Sequence, residues 1–352
     1  MLLIDRYIIK EILRPMAVVC LVLISIFASY CAARYLADAT AGILPADTVL
    51  YLILLKVVIA MEVLLPVTLY LSIIIGLGRF HSDNEMTAMV SCGITDRRIY
   101  LNIISFTLII SLIVAGLSIF IRPWAYQLSY RLKTEAKANF QVSRMDSESF
   151  YEIDDGRRVL FAGSVNHRKN QVKTVFIRTA DDNQQQIITA PEAFQQKDRN
   201  GNDILVFHNG VIYTLSKDNQ SDTTARFQRY VLFITPPEIL PSERIKAVST
   251  STLMQSPQKV ALAERQWRFS TPFTAILLAL FAIPLSRTQP RRGRYGKVIA
   301  AIGIYGFFYA LSLTAKAWVG SSSINPVPGI WWVQITMSFS LILLTLRPGH
   351  RQ

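Results

Sequence analysis

The sequence is poor in groups that do covalent chemistry. It has four histidines, His81, His167, His208 and His350, no two of them at metal-ligand spacing. Its three cysteines, Cys20, Cys31 and Cys92, form no cluster with them. None falls in residues 122–268, so that polar stretch must be held by a core and strand pairing and not by disulfides. There is no Gly-x-Ser-x-Gly nucleophile elbow. A phosphate-binding loop of the Gly-x4-Gly-Lys-Ser/Thr type is also missing. The nearest approach, Gly293-Arg294-Tyr295-Gly296-Lys297-Val298, has the wrong spacing and no hydroxyl. The chain has no evident means of hydrolysing a nucleotide and no implied cofactor. Acidic residues are few, 24 against 37 basic, yet the net charge of +13 is not a nucleic-acid signal, because no stripe of interleaved aromatic and basic residues exists.

Long apolar runs are abundant. Six stretches, 15–33, 50–77, 99–121, 269–286, 298–318 and 329–346, approach or exceed the ~20 residues that cross a ~30 Å hydrocarbon core. Three precede the polar stretch and three follow it. The expected fold class is therefore an α + β membrane protein, six transmembrane helices (3+3) with an inserted β domain between helices 3 and 4. The composition shifts divide it into 1–124, 125–265 and 266–352. The first run is too long for a signal-peptide core and lacks a clean cleavage site, so it reads as a retained helix.

The basic residues report topology. Arg6, Lys10 and Arg14 precede the first span, Arg79, Arg97 and Arg98 lie between the second and third, Arg287, Arg291, Arg292, Arg294 and Lys297 between the fourth and fifth, and Arg347 and Arg351 after the sixth. The opposite short loops hold only Arg34. By the positive-inside rule both termini are expected in the cytoplasm and residues 125–265 in the periplasm.

Residues 2–14 alternate apolar and charged positions, with Leu3, Tyr7, Ile8 and Ile12 on one helical face. They read either as a helix lying in the interface before a turn at Pro15 or as the start of the first span. Within 79–98, Ser82 or Asp83 can cap a short helix over 80–93, Glu85 favours its first turn, Met86, Met89 and Val90 give it an apolar face, and Gly93 can end it. Such a helix suits docking into a partner's groove, or is a turn resting on the membrane.

Runs rich in Val, Ile, Phe and Tyr predict strands at Val159–Val165, Val172–Thr179, Gln186–Ala190, Ile204–Leu215 and Phe227–Ile234, with Asn209-Gly210 as a hairpin turn. That spacing suits a sandwich, a jelly roll or an open barrel. Flanking residues 122–146 and 241–268 read as helical, and Pro236-Pro237 as an extended exit.

Ionisable residues at membrane depth are costly. Lys56 can face a cavity or snorkel, whereas Glu62 sits nearer the middle of its span. Arg34 and Lys316 are expected near the outer ends of their helices, where two cations suit either a phosphate-bearing lipid or ordinary anchoring. Pro66 and Pro284 can kink the second and fourth spans.

The opening RYIIKEIL, the segment LLPVTLYLSIIIGLGRFHSDNEMTAMVSCGIT, the EAKAN of 135–139 and the turn IPLSRTQPRRGRYGK of 283–297 together resemble the lipopolysaccharide-export permease family, the LptF/LptG type, closest to its LptF branch. The resemblance covers nearly the whole chain. It implies the permease subunit of an inner-membrane ABC transporter that extracts lipopolysaccharide. The partners it implies are a second, LptG-like permease, a cytoplasmic LptB-like ATPase dimer, a single-span LptC-like protein and a periplasmic LptA-like bridge. It also implies a periplasmic β-jelly-roll-like domain. By the same resemblance Glu85, Met86, Met89 and Gly93 belong to an ATPase-coupling helix, and Arg34 and Lys316 match basic positions facing a lipid-binding lumen. Cys31 stands where a further basic residue is usual. Two other readings stay open on the residues alone: a membrane-anchored sensor or scaffold, and an intramembrane enzyme using Glu62.

Overall fold

The computed structural model describes residues 3–40, 44–138, 147–153, 158–166, 171–180, 184–197, 203–216, 222–233, 245–286, 296–321 and 327–346. The chain divides into two compact units. One comprises Met1–Tyr30, Leu54–Leu128 and Leu240–Gln352, the other Cys31–Ile53 and Ser129–Ile239.

The first unit is a bundle built from helices that the apolar runs dictate. Helix α1 spans Leu3–Thr40, α2 Ala46–Ser82 and the short α3 Glu85–Ser91. Helix α4, Asp96–Gly116, continues through one π-helical turn, Leu117–Ile121, into α5, Arg122–Ala138. After the inserted segment come α6 (Thr250–Gln255), α7 (Lys259–Ser286), α8 (Gly296–Gly320) and α9 (Trp331–Leu346). Five of these helical runs are long and apolar enough to cross a membrane, and α9 adds a shorter apolar helix. The core runs through Ile8, Ile12, Leu69, Ile73, Leu77, Phe80, Ile99, Ile103 and Leu278. Exposed residues such as Leu21, Leu112, Ile299 and Phe339 are also apolar, as lipid-facing helices require.

The structure decides between the two readings of residues 2–14 and extends one helical expectation. The chain does not turn at Pro15. That proline lies inside α1, so residues 3–14 are the first turns of the helix, with Ile8 and Ile12 wholly buried. Pro66, Pro272 and Pro284 are likewise inside continuous helices. Helix α7 begins ten residues before the apolar run at 269, so the helix expected within 241–268 runs on into the span, and Glu264 and Arg268 on it are buried.

The second unit holds the inserted β domain. Its six strands, β1 Ser149–Ile153, β2 Arg158–Asn166, β3 Gln171–Ala180, β4 Gln184–Lys197, β5 Asp203–Ser216 and β6 Thr223–Phe233, form one antiparallel sheet in the order β1-β2-β3-β4-β5-β6. Among the described residues, strands adjacent in sequence are adjacent in the sheet throughout, as in a meander. Strand β1 escaped the sequence reading, and β5 runs straight through Asn209-Gly210, which therefore make no hairpin. Gly210 pairs with Phe227 instead. The Pro236-Pro237 exit and most of the 283–297 turn lie outside the described residues.

A crease crosses the sheet. The ladders of β2 to β6 skip one transverse line, Gly163, Thr174, Pro191, Asn209 and Gln228, and β4–β5 also skips Ala190–Gly210, while the register is unchanged on either side. Glu148, just before β1, continues the line and donates its N–H to the Gly163 carbonyl. Glu148, Thr174 and Asn209 have φ of 59°, 53° and 53°, unusual for residues other than glycine. Pro191 has no N–H to donate. A side chain on Gly163 would lie 2.9 Å from Thr174 Cβ, so glycine is required where the strands close up. At this line the inside/outside alternation slips by one in strands β2 to β6. Leu160 and Ala162 are buried on one side of it and Val165 is partly buried on the other. The same shift separates Ile177 and Val175 from Val172, and Ile188 and Ala190 from Ala193. Simple alternation would turn half of these residues outward. The shared slip keeps the apolar residues of both halves in one buried cluster.

Candidate functional site

Two polar constellations stand out in the bundle unit, one around α3 and one buried between α2, α4, α5, α7 and α8.

Helix α3 is short and joined tightly to its neighbours. Helix α2 runs on to Ser82, so α3 occupies only Glu85–Ser91 of the expected 80–93. Its N-cap is Asn84, at φ 57° and without a side-chain cap bond; Ser82 and Asp83 bond to each other instead. Gly93 ends the turn as expected. It stands at φ 84°, and its N–H and that of Ile94 donate to the carbonyls of Val90 and Met89. Met86 and Met89, expected on the docking face, are only 8% exposed and pack into the bundle core. The physical reason is their spacing: residues three apart share one helical face, and the face they share is turned toward the bundle. The outward face carries Thr87, Ala88, Ser91 and Val90, the last 49% exposed. Glu85 is also turned inward in part. Its carboxylate accepts from Tyr7 Oη at 2.8 Å and lies 3.8 Å from Arg79.

The second constellation contains two carboxylates and three cations. Glu62 on α2 accepts from Arg122 Nη1 at 2.5 Å, from Ser118 Oγ at 2.8 Å and from Thr271 Oγ1 at 3.3 Å. Glu264 on α7 lies 3.2 Å from Arg122, 3.3 Å from Arg268 Nε and 2.6 Å from Lys316 Nζ on α8. Arg268, with none of its surface exposed, donates further to the carbonyls of Lys246 and Val248 and to Thr250 Oγ1. Charges removed from water persist only when paired and hydrogen-bonded, and nearly every donor here finds an acceptor. The π turn at 117–121 adds a residue to the helix, and Ser118 within it donates to Glu62. Three cations also gather around the Tyr126 ring, with Lys56, Arg122 and Lys246 at 5.2, 5.7 and 5.8 Å from its centroid.

Lys316 is the most accessible member of the cluster, its side chain 22% exposed and packed over the Trp267 ring. It lines an open cleft of about 340 Å³ with Lys246, Glu264 and the apolar Ile245, Val260 and Leu313. The other expected cation, Arg34, is exposed on α1 in the second unit. Glu62 is a fully engaged structural anion. Among the described residues no group of three His, Cys, Asp or Glu could hold a metal ion.

Arg122, Glu264 and Arg268 were not singled out in the sequence because they stand at the edges of apolar runs, where charge ordinarily marks the border with water. The signal that could have found them is Glu264 and Arg268 at i, i+4 on a helix continuing the apolar run.

The model of the family described as "Lipopolysaccharide export system permease LptF/LptG" matches residues 6–347. The chain belongs to this family. It is 26% identical over 350 residues to the "Lipopolysaccharide export system permease protein LptF" of Escherichia coli (strain K12), covering 98% of this chain and 95% of that protein. The LptF protein of Shigella flexneri matches to the same extent. The match runs through the bundle and the inserted sheet alike. The chain is thus an LptF/LptG-type permease of the lipopolysaccharide export system and a multi-pass inner-membrane protein.

Proposed function

We propose that this permease takes lipopolysaccharide from the outer leaflet of the inner membrane and passes it to a periplasmic bridge, driven by a separate cytoplasmic ATPase. The observation that carries this reading is α3. Met86 and Met89 seat it on the bundle, while Thr87, Ala88, Val90 and Ser91 offer a small, weakly polar face to a groove. The partners that fit are an LptB-like ATPase dimer beneath, an LptG-like second permease beside, a single-span LptC-like protein and an LptA-like bridge. Both termini and α3 then lie in the cytoplasm, a placement that the Lys/Arg bias of the loops supports, and 125–265 lies in the periplasm.

Arg34 and Lys316 contact the lipid's phosphates. For Lys316 this means exchange, since a phosphate must compete with Glu264 for the ammonium. The apolar core of the inserted sheet, with Leu160, Val175, Ile188 and Phe207 buried, extends to the partly exposed Val165, Ile212, Phe227, Tyr230 and Leu232, which offer acyl chains an apolar surface. Closure of the ATPase pair moves α3, and the two permeases squeeze the lumen between them.

The test is purification of the tagged chain from its native membrane, with photocrosslinkers at positions 34, 316 and 212. The expected result is an ATPase and a second permease in the eluate, with lipopolysaccharide adducts at all three positions. A chain that elutes without an ATPase, or adducts to phospholipid alone, would contradict the reading.

A further inference from the structure

The first three turns of α1 touch every element that flanks α3. Asp5 accepts from Arg98 Nε and Nη2, both at 3.3 Å, and from Asn102 Nδ2 at 2.8 Å, which ties α1 to the start of α4. Tyr7 Oη donates to Glu85 Oε2 at 2.8 Å, which ties α1 to α3 itself, and its ring lies 5.8 Å from that of the buried Phe80. Glu11 accepts from Arg79 at the end of α2, and Arg79 also reaches Asp83 at 3.4 Å. At 3.6 residues per turn these positions and Ile8 and Ile12 fill one arc of about 160°. The two isoleucines form its apolar seam, with Asp5 on one edge and Tyr7 and Glu11 on the other. Close backbone approach supports the seating: a Cβ on Gly76 of α2 would lie 3.2 Å from the Glu11 carbonyl oxygen.

We infer that the N-terminal turns of α1 and helix α3 form one braced body, with Tyr7 and Glu85 as its positioning pair, so that movement imposed on α3 passes directly into α1. Without the brace α3 would be held by the packing of Met86 and Met89 and by its turns to α2 and α4, with no hydrogen bond to α1 to carry a partner's push into that helix. With it, α1 is driven along its axis, and α1 is the helix that carries Arg34. Glu85 then acts by holding α3 in place as well as by any contact with a partner. The inference rests on the reading of α3 as the docking helix.

The test compares Tyr7→Phe, Glu85→Ala, Glu85→Gln and the Tyr7→Phe/Glu85→Ala double variant in the full chain, first alone in nanodiscs and then assembled with its permease and ATPase partners. Hydrogen exchange of the 85–94 amides is expected to rise several-fold in Tyr7→Phe and Glu85→Ala, no further in the double variant, and little in Glu85→Gln, whose amide oxygen still accepts from Tyr7. In the assembled complex the lipid released per ATP hydrolysed is expected to fall several-fold in Tyr7→Phe while the ATPase stays bound. Unchanged exchange would overturn the brace. Faster exchange with an unchanged ratio of lipid to ATP would overturn its role in transmission. Loss of the ATPase from the parent complex would contradict the docking role of α3 instead, and the exchange measurement on the chain alone does not depend on that role.

Discussion

Lys316 Nζ lies 2.6 Å from Glu264 Oε2, and the same carboxylate group serves Arg122 and Arg268. One buried anion therefore links the cation proposed to meet the lipid with the two arginines that hold the bundle together. With Glu62 it balances two of the cluster's three positive charges.

If lipid phosphate competes with Glu264 for Lys316, weakening the internal competitor tightens lipid binding. Glu264→Gln is expected to raise retention of lipopolysaccharide on the purified complex about 3- to 10-fold, roughly the free energy of one charge-assisted bond partly regained. The same change leaves Arg268 and Arg122 with a weaker acceptor, so thermal stability falls in the same preparation. Lipid binding measured by displacement of a labelled lipid, read beside a melting curve, separates the two effects.

Glu62 is 1% exposed and serves Arg122. Glu62→Ala strands a buried guanidinium and is expected to cost about 3–5 kcal/mol of stability. The double variant Glu62→Met/Arg122→Met removes both charges and should lose much less. Chemical denaturation of the solubilised chain, followed by tryptophan fluorescence, checks the order of the three proteins. An equal loss in both variants would show that the pair's charges are not what the site requires.

The crease makes its own demand on the inserted sheet. Thr174 is β-branched and held at φ 53°, so Thr174→Gly is expected to be neutral or stabilising by about 1 kcal/mol. Gly163→Val places a side chain against Thr174 and is expected to destabilise by about 1–3 kcal/mol. Protease resistance of residues 149–233 in the intact protein reads both changes.

The two faces of α3 should respond differently. Val90→Lys on the outward face is expected to lower ATPase retention more than tenfold without loss of folded protein. Met89→Ala, on the buried face, is expected to cost about 2–4 kcal/mol of local stability through the cavity it leaves. Quantified co-purification and melting of the two variants give the comparison. Equal effects on retention at equal stability would contradict the assignment of faces.

Much of the architecture was legible because lipid and water impose simple patterns. Apolar runs of bilayer length became helices, and clusters of Val, Ile and aromatic residues between turn residues became strands. Gly93 sits at the left-handed position its chemistry suits. What escaped has a common cause, namely contacts between residues distant in sequence. Arg122 and Glu264 looked like borders because each stands beside an apolar run, and only their meeting across 142 positions reveals the pair. Asn209-Gly210 has hairpin chemistry, but that chemistry was used to bend a long strand whose neighbours bend at the same level. Met86 and Met89 had the right period for an apolar face, and period alone does not say whether that face meets a partner or the chain's own core. Tyr7 and Glu85 are 78 positions apart, and nothing local to either announces the other.

The most direct measurement is ATP-dependent delivery of lipopolysaccharide from proteoliposomes holding the complex to a soluble periplasmic acceptor, read by a photocrosslinker on the acceptor. The account predicts adducts that grow with ATP and vanish when Val90→Lys uncouples the ATPase. Adducts that form equally without ATP, or that survive removal of the ATPase, would contradict it.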